Sequence, residues 1–387
     1  MRKRSCIYAM LSSSDFDRCI YEGISTCLLE NAPDMEANME LDYLDEDLVH
    51  YSKGIITRIN KSDEIPHLRA YDIPVINISD VVESPGFPSV ISDAVLAGQL
   101  AAEHFLSRRF HHFAYYGLLT THYSAEQSRS FEQAVKEAGD FKCAVKFHSW
   151  KSTCNAMTKA ERLDLREWIT RLPKPVGILC SGDLYAWELS KACDALNFVV
   201  GRDVGIMGSG NWEFFCKSRR PQLSSLDNRP DRIGYEAAAL LLRMIRGEKA
   251  PSSPVLIPPT VIARASSDAF VAGDSYVSGA IQFIHDHITQ PLSPQEVFNH
   301  IPLSRTALER RFRKQLNYTV LEAIHLLKID HIKHLLISTS KSIEEIACIC
   351  GFSSGPYMTT LFREKVGTTP SDYRHRFRGG NAALAKA

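Results

Sequence analysis

The sequence predicts a two-lobed α/β domain followed by an all-α domain that holds two helix-turn-helix units. Three observations predict it. Short β-rich runs alternate with amphipathic helical stretches over residues 4–264, the strand signal then stops, and the remaining chain reads as helices carrying two capping boxes. At 387 residues the chain exceeds one ordinary core, so it divides into domains.

In chain order, strands are expected at residues 6–11, 54–59, 74–78, 112–116, 144–148, 176–180, 204–208 and 255–258. Helices apolar at spacings of three and four are expected at 93–107, 124–138, 159–172, 184–196 and 232–246. More than six strands exceed one nucleotide-binding unit, hence the two lobes. The boundaries read as 1–264 for this module, a small, polar linker at 265–278, an all-α domain at 279–378, and a tail at 379–387.

The all-α segment opens with the capping box Ser293-Pro294-Gln295-Glu296, breaks at Ile301-Pro302-Leu303, and restarts at the N-cap Ser304. A second unit follows the same plan: Ser342-Ile343-Glu344-Glu345 is a capping box, Gly351 makes the turn, and Ser353 or Ser354 starts the last helix. Between the units, residues 320–337 read as one helix of roughly 27 Å. That length suits a spacer holding two helices near successive major grooves, ~34 Å apart.

Charge agrees with such a partner. The whole chain balances 45 Lys and Arg against 45 Asp and Glu, but from Gly279 onward there are 14 basic and 9 acidic residues, leaving 31 and 36 upstream. A basic excess in a small domain favours a polyanion. The ten cysteines form no C-x-x-C pair and no zinc-like spacing with His, so reduced buried thiols are expected and neither metal nor cofactor. The run Cys6 to Leu11 mimics an export signal, but it ends at Ser12-Ser13-Ser14-Asp15, short of the ~7–15 apolar residues required. No stretch approaches the ~18 apolar residues of a membrane helix, and the reading is a cytoplasmic protein without a membrane partner.

The C-terminal residues resemble the AraC/XylS family of transcription regulators over Pro291 to Arg374. The match runs through Leu303-Ser304-Arg305-x-x-Leu308-x-Arg310-x-Phe312, Lys328-Ile329, Leu335-Leu336, Ser342-Ile343-x-x-Ile346-Ala347-x-x-x-Gly351-Phe352, Tyr357, Phe362 and Gly367-x-Thr369-Pro370-x-x-Tyr373-Arg374. The resemblance implies that the second helix of each unit enters the major groove of double-stranded DNA. Ser304, Arg305, Thr306, Glu309, Arg310 and Arg313 would then face the duplex in the first unit. Arg can donate twice to guanine, Glu can accept from cytosine, and a Thr methyl can touch thymine; Arg310 is open to phosphate contact instead. In the second unit, base-reaching positions hold Gly355, Pro356 and Thr360, so Ser354, Thr359, Thr360 and Arg363 are expected to grip the backbone or read shape. Arg374, Arg376 and Arg378 read equally as phosphate contacts or a frayed end.

Upstream, Pro221-Gln222-Leu223-Ser224-Ser225-Leu226-Asp227-Asn228, Gly234-Tyr235-Glu236-Ala237-Ala238 and Ile257-Pro258-Pro259-Thr260-Val261-Ile262-x-Arg264-x-Ser266 resemble the effector domain of LacI/GalR repressors, a periplasmic-binding-protein-like fold. The resemblance implies a small-molecule effector, a xylose-like or related sugar, held between two lobes, together with homodimerisation, contact with RNA polymerase and transcription activation. Ser12 and Ser13 after the first strand, Asp93 at a helix start, Arg129 on a further helix and Asp183 after the strand at 176–180 are candidate hydroxyl-binding groups at the edge of the cleft. Where the repressors place an Asp pair, this chain reads Gly208-Ser209-Gly210-Asn211-Trp212, leaving Asn211 and Trp212 as contacts. For each of these residues helix capping or strand-end solvation is the competing reading.

Two alternatives stay open: a constitutive DNA-binding protein whose upstream module only dimerises, and an enzyme with an appended DNA-binding domain. Against the second, Gly205-x-x-Gly208-x-Gly210 is not a dinucleotide fingerprint, and no P-loop, nucleophile elbow or H-E-x-x-H motif occurs, so no catalytic site is expected.

Overall fold

The computed structural model describes residues 5–11, 15–41, 52–118, 120–148, 157–267 and 274–378. The chain forms two compact units. The first takes residues 1–98, 118–130 and 228–259, and the second takes 99–117, 131–227 and 260–387.

In the first unit, β1 (Ser5–Leu11), β2 (Met35–Leu41), β3 (Ser52–Thr57) and β4 (Val75–Asn77) form a parallel sheet in the order β2-β1-β3-β4. A parallel bridge from Asn77 to Ser89 leads to β5 (Val90–Ser92), which pairs in parallel with β11 (Val255–Ile257). Helices α1 (Asp15–Asn31) and α2 (Glu64–Arg69) follow β1 and β3. The α1 helix packs on α8 (Pro230–Ile245) so closely that a β-carbon at Gly23 would strike the Asp231 carbonyl, and one at Gly234 the Ile20 carbonyl. Glycine is required on both helices because the backbones touch there.

The second unit carries a sheet in the order β12-β10-β9-β8-β6-β7, from β6 (His112–Leu118), β7 (Cys143–His148), β8 (Val176–Cys180), β9 (Val204–Ser209), β10 (Ser224–Asp227) and β12 (Thr260–Ile262). β6, β8, β9 and β10 run parallel, and β12 returns antiparallel. Buried Val176, Ile178, Ile206, Leu189 and Ala186 fill the core between the sheet, α5 (Lys159–Arg171) and α6 (Asp183–Ala195). α3 (Ala94–Ser107) and α4 (His122–Glu137) each pass from the first unit into the second, and the short α7 is Glu213–Ser218. Each strand and helix named from the sequence is present with ends moved by at most two residues. Ser266 and Ser267 differ from expectation. Their polar composition places them in the linker, yet both are fully buried: Ser266 Oγ donates to the Ile206 carbonyl, and Ser267 Oγ bonds Ser224 Oγ at 2.6 Å.

The all-α part begins at α9 (Ser275–Asp286), capped by Asp274 through the Tyr276 and Val277 amides. It continues with α10 (Pro294–His300), α11 (Arg305–Leu316), α12 (Val320–Ser338), α13 (Ile343–Ile349), α14 (Gly355–Val366) and α15 (Pro370–Arg378). Hydroxyl caps set most of these starts. Ser304 accepts from the Ala307 amide, Ser354 from Tyr357, Thr319 from Glu322 and Ser342 from Glu345, the last two with the glutamate reaching back. Val277, Ile281, Val297, Phe298, Leu308, Phe312, Val320 and Ile324 make the core of the first helix-turn-helix unit.

Candidate functional site

The α10–α11 pair is the first helix-turn-helix. Leu308, Phe312 and Leu316 turn α11 inward, which leaves Arg305, Thr306, Arg310, Arg313 and Lys314 on its solvent face. Arg311 is the exception among its arginines, since it pairs with Asp274 and lies 5.2 Å over the Tyr276 ring, tying α11 to α9. Arg305 rests 5.4 Å above the Phe298 ring of α10, a contact that holds the guanidinium at the turn. Two of the expected base readers are otherwise engaged. Glu309 accepts from the Val320 amide at 3.4 Å, and Arg313 lies 3.6 Å from Glu322, so both are drawn to the start of α12. An anionic side chain there complements the N-terminal helix dipole.

α13 and α14 form the second unit. Ser354 serves as N-cap, Thr359 is half-buried, and the Thr360 hydroxyl donates back to the Pro356 carbonyl at 3.0 Å, which uses its donor inside the helix. Arg363 is exposed. Glu344 accepts from the Gly355 amide at 3.2 Å and occupies the space a β-carbon at Gly355 would need. This recognition helix thus presents Pro356, half-exposed Tyr357 and Arg363, with few free donors.

α12 is 19 residues long, about 28 Å at ~1.5 Å per residue, and it holds the two units in register. Lys328 makes the junction. Only 4% exposed, its ammonium donates to the carbonyls of Gln290 (3.0 Å), Cys350 (2.7 Å) and Gly351 (3.4 Å) and sits 4.9 Å from the Phe352 ring. Burial pushes its pKa down. Gly351 has φ +65°, and a β-carbon there would collide with the Gln290–Pro291 backbone. A lysine on an amphipathic helix reads as surface, so sequence gave no cue to this role beyond its place in the AraC/XylS pattern.

Of the candidate effector residues, Ser12 and Ser13 lie outside the described residues. In the first unit, Asp93 accepts from the Leu96 amide at 2.8 Å and so caps α3. Arg129 is exposed on α4 and paired with Glu126. In the second unit, Asp183, Asn211 and Trp212 do come together beyond the ends of β8 and β9. Asp183 is only 2% exposed and accepts from the Ser225 hydroxyl (2.6 Å) and the Trp212 amide (2.7 Å). Desolvation raises its pKa to about 6, against the pull of those two bonds. It is a buried support for the loop that carries Asn211 and Trp212.

Asn211, at φ 54°, accepts from Arg264 Nη2 at 2.8 Å and donates to Asp227 at 3.4 Å. Trp212 stacks on Phe215 at 5.7 Å and 19°, with Trp187 edge-on beyond it. The half-buried set Asn211, Asp227, Arg264 and Trp212 pairs amide, carboxylate and guanidinium with an aromatic face, the chemistry a sugar needs. Arg264 and Asp227 were quoted in the repressor-like motifs and not recognised as one cluster, because 37 residues of chain separate them.

Among known proteins, a periplasmic binding protein-like domain matches residues 102–267 and a helix-turn-helix domain matches 299–376. The xylose operon regulatory protein of Haemophilus influenzae is 28% identical over 373 residues, 93% of this chain and 95% of its own length. That of Escherichia coli K12 is 27% identical over 370 residues, 93% and 94% respectively. The solved structure of the xylose-binding transcription activator XylR aligns with TM-score 0.63 and 26% identity, covering 97% of this chain and 99% of that one. Together with the two folds described above, these matches identify the chain as an AraC/XylS-type transcription regulator with a LacI/GalR-like effector domain, similar to the xylose operon regulatory proteins.

Proposed function

We propose that the chain is a sugar-responsive activator that binds paired major-groove sites through α11 and α14. The observation that carries this reading is the pair of capped helix-turn-helix units clasped to one 19-residue helix by Lys328. The effector is a xylose-like sugar, bound with the help of Asn211, Asp227, Arg264 and Trp212 in the second unit. The active species is a cytoplasmic homodimer that contacts RNA polymerase, and no chemistry is performed on the sugar.

Base readout belongs mainly to Arg305, Thr306 and Arg310, with Ser304, Glu309 and Arg313 positioning α11; Ser354, Thr359, Thr360 and Arg363 hold the backbone. Accordingly, Arg305→Ala should cost ~1–3 kcal/mol and relax preference at one base pair. Arg363→Ala should weaken all sequences alike and reduce the salt slope by about one. Binding isotherms on a randomised site library at several salt concentrations separate the two. Equal information in both halves of the selected site would overturn the division of labour.

The sugar reading is tested by thermal shift with D-xylose and related pentoses and hexoses. A sugar at 100 times its Kd should add about 2.7 kcal/mol to the effector domain. No shift with any of them would favour a module that only dimerises. Footprinting with and without the active sugar then reports its effect on DNA.

A further inference from the structure

We infer that the face shared by α3 and α12 is the element that couples the effector module to the DNA-binding domain, with Asp330 and Lys333 as its positioning residues. The inference rests on the two-part reading above. Within the second unit, Leu100, Glu103, His104 and Ser107 recur at helical spacing on α3, and Asp330, Lys333, His334 and Ile337 do so on α12. These two stripes meet. Glu103 pairs with Lys333, and Arg108, one residue beyond the end of α3, pairs with Asp330. The charges alternate in opposite senses along the two helices, so one antiparallel register satisfies both pairs, and sliding by a turn breaks both.

Arg108 makes this register costly to leave. Its side chain is fully buried, with Asp330 17% exposed beside it and Nη1 donating to the His104 carbonyl and the Ser107 hydroxyl, both at 3.3 Å. A buried charge separated from its partner is strongly unfavourable, so α3 and α12 move as one piece or not at all. Three further contacts flank the pairs. The Tyr318 hydroxyl donates to the Ser107 carbonyl at 3.1 Å, Arg109 lies 4.7 Å over the Tyr318 ring, and His334 Nδ1 is 3.2 Å from Thr260 Oγ1 on β12. A small cavity of about 30 Å³ lies between Leu100, Val261 and Ile337.

α12 carries both helix-turn-helix units, and α3 is the helix whose first turn Asp93 caps at the end of β5. Whatever shifts α3 therefore shifts the base on which α11 and α14 stand. Coupling is reciprocal, so DNA bound at the far end must be felt in α3. This consequence needs no sugar, and it separates the present inference from the identity of the effector.

The test is amide hydrogen exchange of the full chain with and without a duplex selected from random sequence by the wild-type protein. In wild type, the duplex should slow exchange in α11 and also in residues 100–107. Glu103→Lys and Asp330→Asn should each reduce the α3 response at least about threefold while α11 remains protected. The charge exchange Glu103→Lys with Lys333→Glu should restore it, an outcome that loss of packing alone would not give. Three results would overturn the coupling: α3 indifferent to a duplex that protects α11, an α3 response undiminished in Glu103→Lys, or no rescue by the exchanged pair. Absence of protection in α11 would remove the DNA reading itself and the coupling with it. A null result with D-xylose would leave the coupling standing.

Discussion

Lys328→Met should lower the stability of the C-terminal domain by ~3 kcal/mol, because three carbonyls lose a charged donor in a site that the apolar chain fills without replacing the bonds. The ammonium is the only group named at that junction which touches both the Gln290 carbonyl ahead of α10 and the Cys350 and Gly351 carbonyls at the turn between α13 and α14. Its loss frees each helix-turn-helix to tilt on α12. Affinity for a site with both halves should then fall by roughly tenfold or more, as the second half loses effective concentration, while binding to an isolated half changes little. Lys328→Arg keeps cationic donors and should recover most of both losses. The four tryptophans, at 150, 168, 187 and 212, all lie in the effector domain, so far-UV circular dichroism alongside their fluorescence resolves the two transitions. A Met variant with unchanged dichroism midpoint would refute the junction role.

Asp183 supplies the second large effect, in the opposite sense. Its folded pKa of about 6 stands above the ordinary 3.8, so the folded domain binds this proton more tightly than the unfolded chain does. The associated stability is present in full below pH 3.8 and is lost as pH rises through about 6. A difference of about two pH units corresponds to about 3 kcal/mol. Asp183→Asn lacks the titration. Relative to wild type, it should gain roughly 2–2.5 kcal/mol between pH 4 and pH 7.5, its amide oxygen accepting from Trp212 and its NH₂ donating to Ser225. Urea titrations of both proteins across that range measure the difference directly. A difference independent of pH would show that the carboxylate is not buried as described.

Strands β8 and β9 and the helix after β8 were legible because apolar period and β-branched content agree there, and the caps Ser304, Ser342 and Ser354 were legible because capping is a local hydrogen bond. β2 was not seen, since MEANMEL alternates as an edge strand does and carries two glutamates. β5 and β12, three residues each, are too short for any periodicity. Among candidate site residues, the solvent exposure of Arg305 and Arg310 was legible from the apolar spacing of Leu308, Phe312 and Leu316. Sequence places Asp183 at a strand end without saying which way its carboxylate points, and Ser225 answers that from 42 residues away. Arg108 and Asp330 went unremarked, and Lys328 stood only as one position of the family pattern, because a charged side chain is read as solvated until its distant partner is known.

The threading of the first unit through three stretches of chain also sets an order of events during synthesis. β5 lacks its partner strand β11 until residue 257 has been made, while the middle of the second unit's sheet is already complete. The effector module is nonetheless finished before Ser275, the first residue of α9, leaves the ribosome. A nascent chain can therefore fold its periplasmic-binding-protein-like module before it owns a helix-turn-helix surface.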